Sequence, residues 1–523
     1  MASWGHSRAP RPAKSITHWK SGKRRMPADN RTKAPHRQQV EPAPIRVNLI
    51  SLGCPKNLVD SEMILGSAGA EGLEVAASPE DADVIVINTC SFIESAKAES
   101  IQAILEACEL KSSSETPKKV VVTGCLAQRY GAELRKEVPE VDAIIGLGEY
   151  DDIGSALRSL TESRRHKQIF RLGDPDKACN AEVGRFRLTP SHYAYVKISE
   201  GCDNPCTFCS IPSFRGGFRS KPLRLIEEEV RELAQSGTKE VVVISQDTTS
   251  YGIDLTGKFE LPRLLETIAA VDGIRWIRVL YVYPSFVTDE MISAIAEIDK
   301  VVKYIDIPLQ HISDKMLRRM GRRSNESKTR ALLDKLRERI PGLYLRTTFI
   351  VGFPGEDDAE FDTLKRFVRD SKFERLGVFT YSQEEGTPAA TFSDQVPEDV
   401  RKARLEEIML VQQANAFAHN RSRRGEKAQV IVEGLEPAKQ GKRAAWRCRS
   451  TGEAPEIDPI IYVEQPGEAA PERETALPKS FRELSAKAAP RRPLVQGTFA
   501  HVRITGSKDY DLLAEPLPAG RRV

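Results

Sequence analysis

Gly201-Cys202-Asp203-Asn204-Pro205-Cys206-Thr207-Phe208-Cys209 decides the reading of this chain. Three thiols at i, i+4 and i+7 follow directly on the β-branched run 193–198. Three soft thiolates on one tight loop suit three corners of a cubane iron–sulfur cluster and leave one iron open to another ligand. Structural zinc takes four ligands, and no fourth Cys or His lies close in sequence. Downstream, strand-like runs at 240–245, 276–281, 304–307, 345–351 and 376–380 alternate with helical patterns such as 225–236, 261–270 and 398–417. The loop therefore opens a partial or complete parallel (β/α) barrel over 188–424, whose working face lies at the strand C-terminal ends.

Upstream, residues 46–162 read as strand followed by helix, three times over: 47–52, 84–88 and 120–123 are short β-branched runs, and 95–110 has helical spacing. This predicts a three-layer α/β domain with a parallel sheet. Each strand ends in a cysteine, in Ser51-Leu52-Gly53-Cys54, Asn88-Thr89-Cys90 and Thr123-Gly124-Cys125. Strand C-termini of a parallel sheet share one edge, so Cys54, Cys90 and Cys125 are expected to converge on a second cluster. One such cysteine would read as a small residue filling a tight corner, whereas three in register do not. Cys108 reads as core of its helix, Cys179 as linker and Cys448 as loop.

The polar segment 164–190 reads as a linker. Beyond it, residues 427–518 carry strand-like runs at 428–433, 460–463 and 498–504, interrupted by a Pro/Ala/charge-rich insertion at 465–493; a small β-barrel with a flexible loop is expected. Residues 1–46 hold 11 Lys and Arg against Asp29 and Glu41, although the whole chain carries only +4. With no periodicity to build a core, 1–45 reads as a disordered basic tail suited to RNA phosphates. No apolar run is long enough to span a bilayer and the start is polar, which predicts a cytoplasmic protein without membrane contact. Nine cysteines in 523 residues are too sparse for a disulfide scaffold.

The motif at Cys202, Cys206 and Cys209 resembles the radical S-adenosylmethionine (SAM) superfamily. Together with Ser51-Leu52-Gly53-Cys54-Pro55-Lys56-Asn57-Leu58-Val59-Asp60-Ser61-Glu62 and the Asn88-Thr89-Cys90 corner, it resembles the methylthiotransferases within that superfamily, over roughly 46–516. The resemblance implies an N-terminal cluster domain, a radical SAM partial barrel and a C-terminal TRAM barrel, with two 4Fe-4S clusters and SAM as cofactors. It implies that Gln246, Gln310 and Gly352, which lie after barrel strands, help to seat SAM; His311, in the same turn as Gln310, is not read as a metal ligand. Where tRNA-modifying members have Gly-Cys-Gln-Met-Asn, this chain has Gly53-Cys54-Pro55-Lys56-Asn57. That difference implies a protein substrate: an aspartate of ribosomal protein twelve of the small subunit, methylthiolated at its β-carbon.

The acidic runs 453–458 and 509–515 are expected to repel RNA and to attract a basic ribosomal protein. An unactivated aspartate β-C–H bond is not acidic enough for base catalysis, and the resemblance implies a radical route fed by an electron donor such as flavodoxin or ferredoxin. The competing readings are a tRNA adenosine methylthiotransferase with the same cofactors, and a non-enzymatic iron–sulfur protein that binds the ribosome. For the tail, deleting residues 1–44 is expected to leave the iron content of the reconstituted protein unchanged and to weaken ribosome association at low salt. Ribosome co-sedimentation across a salt series measures it, and an unaltered salt dependence would leave the tail without a phosphate-binding role.

Overall fold

The computed structural model describes residues 44–162, 168–177, 184–438, 444–464 and 494–517. The basic tail, the insertion 465–493 and Cys179 lie outside the described residues.

The N-terminal sheet has six strands, all parallel. Arg46–Ser51 lies between Glu74–Val75 on one side and Val84–Thr89 on the other, followed outward by Lys119–Gly124, Ala143–Ile145 and Ile169–Arg171. Val84–Thr89 is buried along its whole length, because helices cover both faces. Pro55–Ala70 and Ile153–Glu162 pack on one face, Glu94–Ser113 and Cys125–Glu137 on the other. The strand order reverses between Arg46–Ser51 and Val84–Thr89, which is where a sheet of this kind opens a crevice at its C-terminal edge. Three strands escaped the sequence reading because they are only two or three residues long. One of them, Ile169–Arg171, falls in the segment expected to be a linker, and pairing to Ala143–Ile145 makes it part of the sheet.

Six parallel strands form the central unit in the order of the chain: Tyr193–Lys197, Glu240–Ile244, Trp276–Val279, Val301–Asp306, Tyr344–Val351 and Arg375–Thr380. The first and last do not pair, so this is a partial barrel. Alternate residues point outward into a core shared with helices such as Leu223–Gln235 and Leu261–Ala269. The others, Tyr193, Tyr195, Val242, Ile244 and Tyr304 among them, fill the interior. The N-terminal domain packs its helix Pro55–Ala70 against the edge strand Tyr193–Lys197. This is why Asn57, Asp60, Ser61 and Glu62 are buried although the sequence there is polar.

The C-terminal domain is a closed five-stranded barrel of Lys427–Glu436, Ala445–Arg449, Ile461–Glu464, Asp511–Pro516 and Phe499–Lys508. Ala445–Arg449 and Asp511–Pro516 went unread, and Cys448, expected in a loop, is a fully buried core residue of the former. The acidic run 453–458 also departs from expectation. It belongs to the connection between Ala445–Arg449 and Ile461–Glu464, which inserts into the N-terminal mouth of the central barrel. Glu453 is 1% exposed and pairs with Arg375 and Arg423 at 3.0 Å each. Tyr193 Oη donates to Glu456 at 2.8 Å and Tyr304 Oη to Asp458 at 2.6 Å. Arg278 Nη1 donates to the Thr451 carbonyl at 2.9 Å. These acids complete a barrel that carries buried arginines, so Glu453 and Asp458 offer no surface to a partner. Asp511 likewise accepts the Ile460 N–H at 3.0 Å, and burial raises its carboxyl.

The joint is pH-sensitive by construction. Burial, then Arg375 and Arg423, push His419 down to about 4 from an ordinary 6.5. Burial alone would raise Glu433, but Arg449 and the hydrogen bond from His192 outweigh it and hold that carboxyl at about 2. Both groups are depressed in the folded state, so the stability they contribute is present at neutral pH. It is lost as pH falls, first through 6.5 toward 4 for His419 and then below 4.5 for Glu433. Melting temperature measured from pH 7 downward is expected to fall in that order, and His419→Gln is expected to flatten the upper part of the slope. An unchanged slope in that variant would contradict the assignment.

Candidate functional site

Tight corners bring the N-terminal cysteines together. Gly53 and Gly124 take positive φ of 87° and 92°, a region that side chains rarely adopt. A Cβ on Gly53 would stand 2.7 Å from Cys90 Cβ and 2.9 Å from its Sγ; one on Gly124 would stand 2.3 Å from Asn88 Oδ1 and 2.6 Å from Thr89 N. The glycines thus permit the close approach of the three strand ends. Two asparagines then tie these ends together. Asn57 Nδ2 donates to the carbonyls of Leu52 at 3.1 Å and Thr89 at 2.9 Å, while Asn88 Nδ2 donates to Asn57 O at 2.8 Å and Ser61 Oγ at 2.9 Å. Cys125 Sγ lies 3.5 Å from Oδ1 of the same Asn57 whose amide nitrogen holds the corners before Cys54 and Cys90.

Cys202, Cys206 and Cys209 occupy the loop after the first barrel strand, as their spacing predicts. Asn204 Nδ2 donates to Cys202 Sγ at 3.4 Å and to Asp247 Oδ2 at 2.8 Å, and Arg322 Nη1 lies 3.6 Å from Cys206 Sγ. Burial dominates the acidity of these thiols, raising Cys202 to about 11 and both Cys209 and Cys125 to about 12. Metal binding must therefore displace protons from them. Among the described residues, no group of three His, Cys, Asp or Glu side chains closes on a single ion. A cluster offers each thiolate a separate iron, so its ligands need not meet at one point.

Arg215, which carries no sequence signal of its own, joins the two regions. It is 4% exposed. Its Nη2 donates to Asn57 Oδ1 at 2.5 Å, Asp60 Oδ2 at 2.9 Å and Cys125 Sγ at 3.3 Å, and its Nη1 to Glu200 Oε1 at 2.9 Å. Lys197 bridges the same two carboxylates, Asp60 and Glu200. Glu200 immediately precedes the cysteine loop, and Arg215 with Lys197 outweighs its burial and holds it far below the ordinary range. Gln246 extends the chain by donating to Glu200 at 2.6 Å. A second link is the segment after Trp276–Val279: Lys56, two residues from Cys54, lies 3.4 Å over the Tyr281 ring, whereas Arg322, beside Cys206, lies 4.1 Å over the Tyr283 ring. One short segment thus touches the surroundings of both thiol groups.

The remaining expected residues divide. Gln246 Oε1 and Gln310 Oε1 are buried without a hydrogen-bond partner, and Gln310 holds a strained φ of 70° at the barrel mouth. Gly352 is explained by its own neighbours: a Cβ there would stand 2.0 Å from Arg401 Cγ, and its N–H donates to Glu356 Oε1 at 3.0 Å. His311 is fully buried, with Nδ1 accepting the Ser313 N–H at 3.0 Å.

The family models follow the same three parts. Residues 46–146 match the uncharacterized protein family UPF0004, 196–368 the radical SAM superfamily and 425–517 the TRAM domain. The fold is thus that of a radical SAM enzyme flanked by these two domains. The chain is 44% identical over 473 residues to the ribosomal protein uS12 methylthiotransferase RimO of Geotalea uraniireducens, covering 90% of this chain and 98% of that one. It is also 44% identical to the RimO of Anaeromyxobacter sp. strain K, covering 91% and 97%. The chain belongs to the RimO family of radical SAM methylthiotransferases. Among solved structures, the radical SAM methyltransferase TsrM of Kitasatospora setae aligns at a TM-score of 0.49 and 14% identity, over 66% of this chain and 74% of that one.

Removing Arg215 leaves Asp60 and Glu200 buried with Lys197 as their shared cation. Arg215→Met is therefore expected to cost about 3 kcal/mol, the lower end for breaking a buried ion pair, read as a shift in urea unfolding. Arg215→Lys should recover part of it. A loss under about 0.5 kcal/mol, typical of an ordinary surface change, would show that the network does not join the two regions.

Proposed function

We propose that this chain transfers a methylthio group to the β-carbon of an aspartate in ribosomal protein uS12, in the cytoplasm, using SAM and two 4Fe-4S clusters. The reading is carried by two thiol triads, each at the C-terminal edge of a parallel sheet, whose surroundings are linked through Arg215 and the segment Tyr281–Tyr283. Membership of the RimO family supports the acceptor. Among the described residues, no helix is long and apolar enough to cross a membrane.

In this reading Cys202, Cys206 and Cys209 hold the cluster that engages SAM, and Cys54, Cys90 and Cys125 hold the auxiliary cluster. The residues present suit these groups. Each set consists of three thiols, the donor type that iron–sulfur clusters take. The orphaned carbonyl oxygens of Gln246 and Gln310 suit the donor groups of SAM, while Gly352 enters only as the turn that lets Arg401 pack. When bound, the clusters and SAM supply the electron, the hydrogen-abstracting radical, the sulfur and the methyl group.

The protein positions them. Asn204 orients Cys202, Arg322 approaches Cys206, and Asn57 with Arg215 fixes Cys125. Burial of Cys90, Cys125 and Arg215 keeps water from the Arg215 network. The electron is assigned to a flavodoxin or ferredoxin, and the basic tail to contact with RNA on the ribosome. The TRAM match at 425–517 keeps tRNA as the competing acceptor.

Mass spectrometry of uS12 and of tRNA from a strain lacking the gene tests the reading, since a methylthio group adds ~46 Da to whatever carries it. Loss from uS12 is expected; loss from tRNA alone would assign the competing activity. In the reconstituted protein, replacing either cysteine triad by Ala is expected to remove about half of the iron and all methylthiolation. Full iron and full product after replacing Cys54, Cys90 and Cys125 would refute the auxiliary site.

A further inference from the structure

Lys56 differs from Arg215, Lys197 and Arg346 in the partner that meets its charge. It is 8% exposed, and it occupies the first turn of the helix Pro55–Ala70, where the backbone N–H groups already present positive charge. That turn carries no acidic residue. The neighbouring cations are compensated: Arg215 and Lys197 by Asp60 and Glu200, Arg346 by Asp306 at 2.7 Å. Among the described residues Lys56 has no carboxylate within ion-pair distance; its ammonium lies 3.4 Å over the Tyr281 ring. A buried ammonium held by one aromatic face, with the Cys54 thiol as its acidic neighbour and no carboxylate, is open to a further anion.

Tyr281 itself is held in a strained backbone conformation, with φ of 62°. Its N–H donates to Asp306 Oδ2 at 3.1 Å, and Arg346 fixes Asp306 from the other side. The backbone at Tyr281 is thus braced from within the barrel, and its ring carries the Lys56 ammonium two residues from Cys54. Two residues further on, Tyr283 stacks under Arg322 at 4.1 Å, next to Cys206. Lys56 therefore stands at the Tyr281 end of a short segment whose other end, Tyr283, meets Arg322 beside Cys206.

We infer that Lys56, braced on Tyr281, binds the carboxylate of the acceptor aspartate and so selects a carboxylate-bearing protein side chain over a neutral nucleobase. This rests on the acceptor proposed above. It gives a physical reason for a lysine in Cys54-Pro55-Lys56-Asn57. Charge pairing with the ammonium would hold the carboxylate, with its β-carbon beside it, at the entrance between the two sites. Lys56 is on this account a specificity-determining residue.

The test uses full-length protein, reconstituted anaerobically, in its natural form and as Lys56→Met and Lys56→Arg. The probe is purified uS12, with the modified aspartate intact or changed to Asn, and binding is read by fluorescence anisotropy. Lys56→Met is expected to weaken binding of the aspartate form about tenfold or more, equivalent to about 1.4 kcal/mol. Lys56→Arg should restore part of it, and the Asn form should bind the natural protein and Lys56→Met alike. Iron content and SAM affinity should keep their natural values. Equal binding of the aspartate form by the natural protein and Lys56→Met overturns the inference, while a loss of iron or of SAM affinity assigns Lys56 to the cluster or to SAM instead. Failure of the natural protein to modify uS12 at all would refute the underlying acceptor assignment and is read separately, by mass spectrometry.

Discussion

The Arg215 guanidinium is the interaction on which the rest of the arrangement depends. It reaches out of the central barrel to a thiol, an amide and a carboxylate of the N-terminal domain while keeping one nitrogen on Glu200 at home. A buried ionic cluster of this kind is a poor source of net stability, because desolvating the charges offsets much of their attraction. Its value is directional. The planar fork satisfies its partners only in one relative placement of the two domains, and that placement sets the strand ends of one sheet against those of the other. Lys197 shares both carboxylates, so the joint is a network of two cations and two anions rather than a single bond.

The opposite mouth of the barrel is closed by similar means. Connection 450–458 of the C-terminal domain fills it, with Ala454 among the apolar interior residues and Glu453 between Arg375 and Arg423. Deeper, Glu240 takes Arg278 at 2.8 Å and Arg449 at 2.7 Å. Trp276 packs edge-on to Phe499 with ring centroids 4.8 Å apart, adding an apolar contact to the charged ones. The partial barrel is therefore plugged by one flanking domain at its N-terminal mouth and covered by the other at the edge and face where its thiols lie.

Much of this was legible in the sequence, for physical reasons that differ by element. The fully buried strands Val84–Thr89 and Glu240–Ile244 announce themselves as apolar runs, and Cys202, Cys206 and Cys209 as a short-range pattern on one loop. The convergence of Cys54, Cys90 and Cys125 followed from a topological rule rather than from spacing, since parallel strands put their C-terminal ends on one edge. Two- and three-residue strands such as Glu74–Val75 and Ala143–Ile145 carry too little pattern to be read. Arg215 and Glu62 look like surface residues until the packing of Pro55–Ala70 against the barrel makes them interior. The acidic run 453–458 misled for the same reason: charge along the chain says nothing about a partner arginine far away in sequence.

Under the proposed function the two thiol triads face one another and serve a single acceptor. Electron paramagnetic resonance of the fully reduced, reconstituted protein tests this most directly, because two paramagnetic clusters that are neighbours broaden each other's signals. The account predicts such mutual broadening, and sharp single-cluster spectra when either cysteine triad is replaced by Ala. A native spectrum equal to the plain sum of the two single-cluster spectra would mean that the sites do not face each other, and would contradict it.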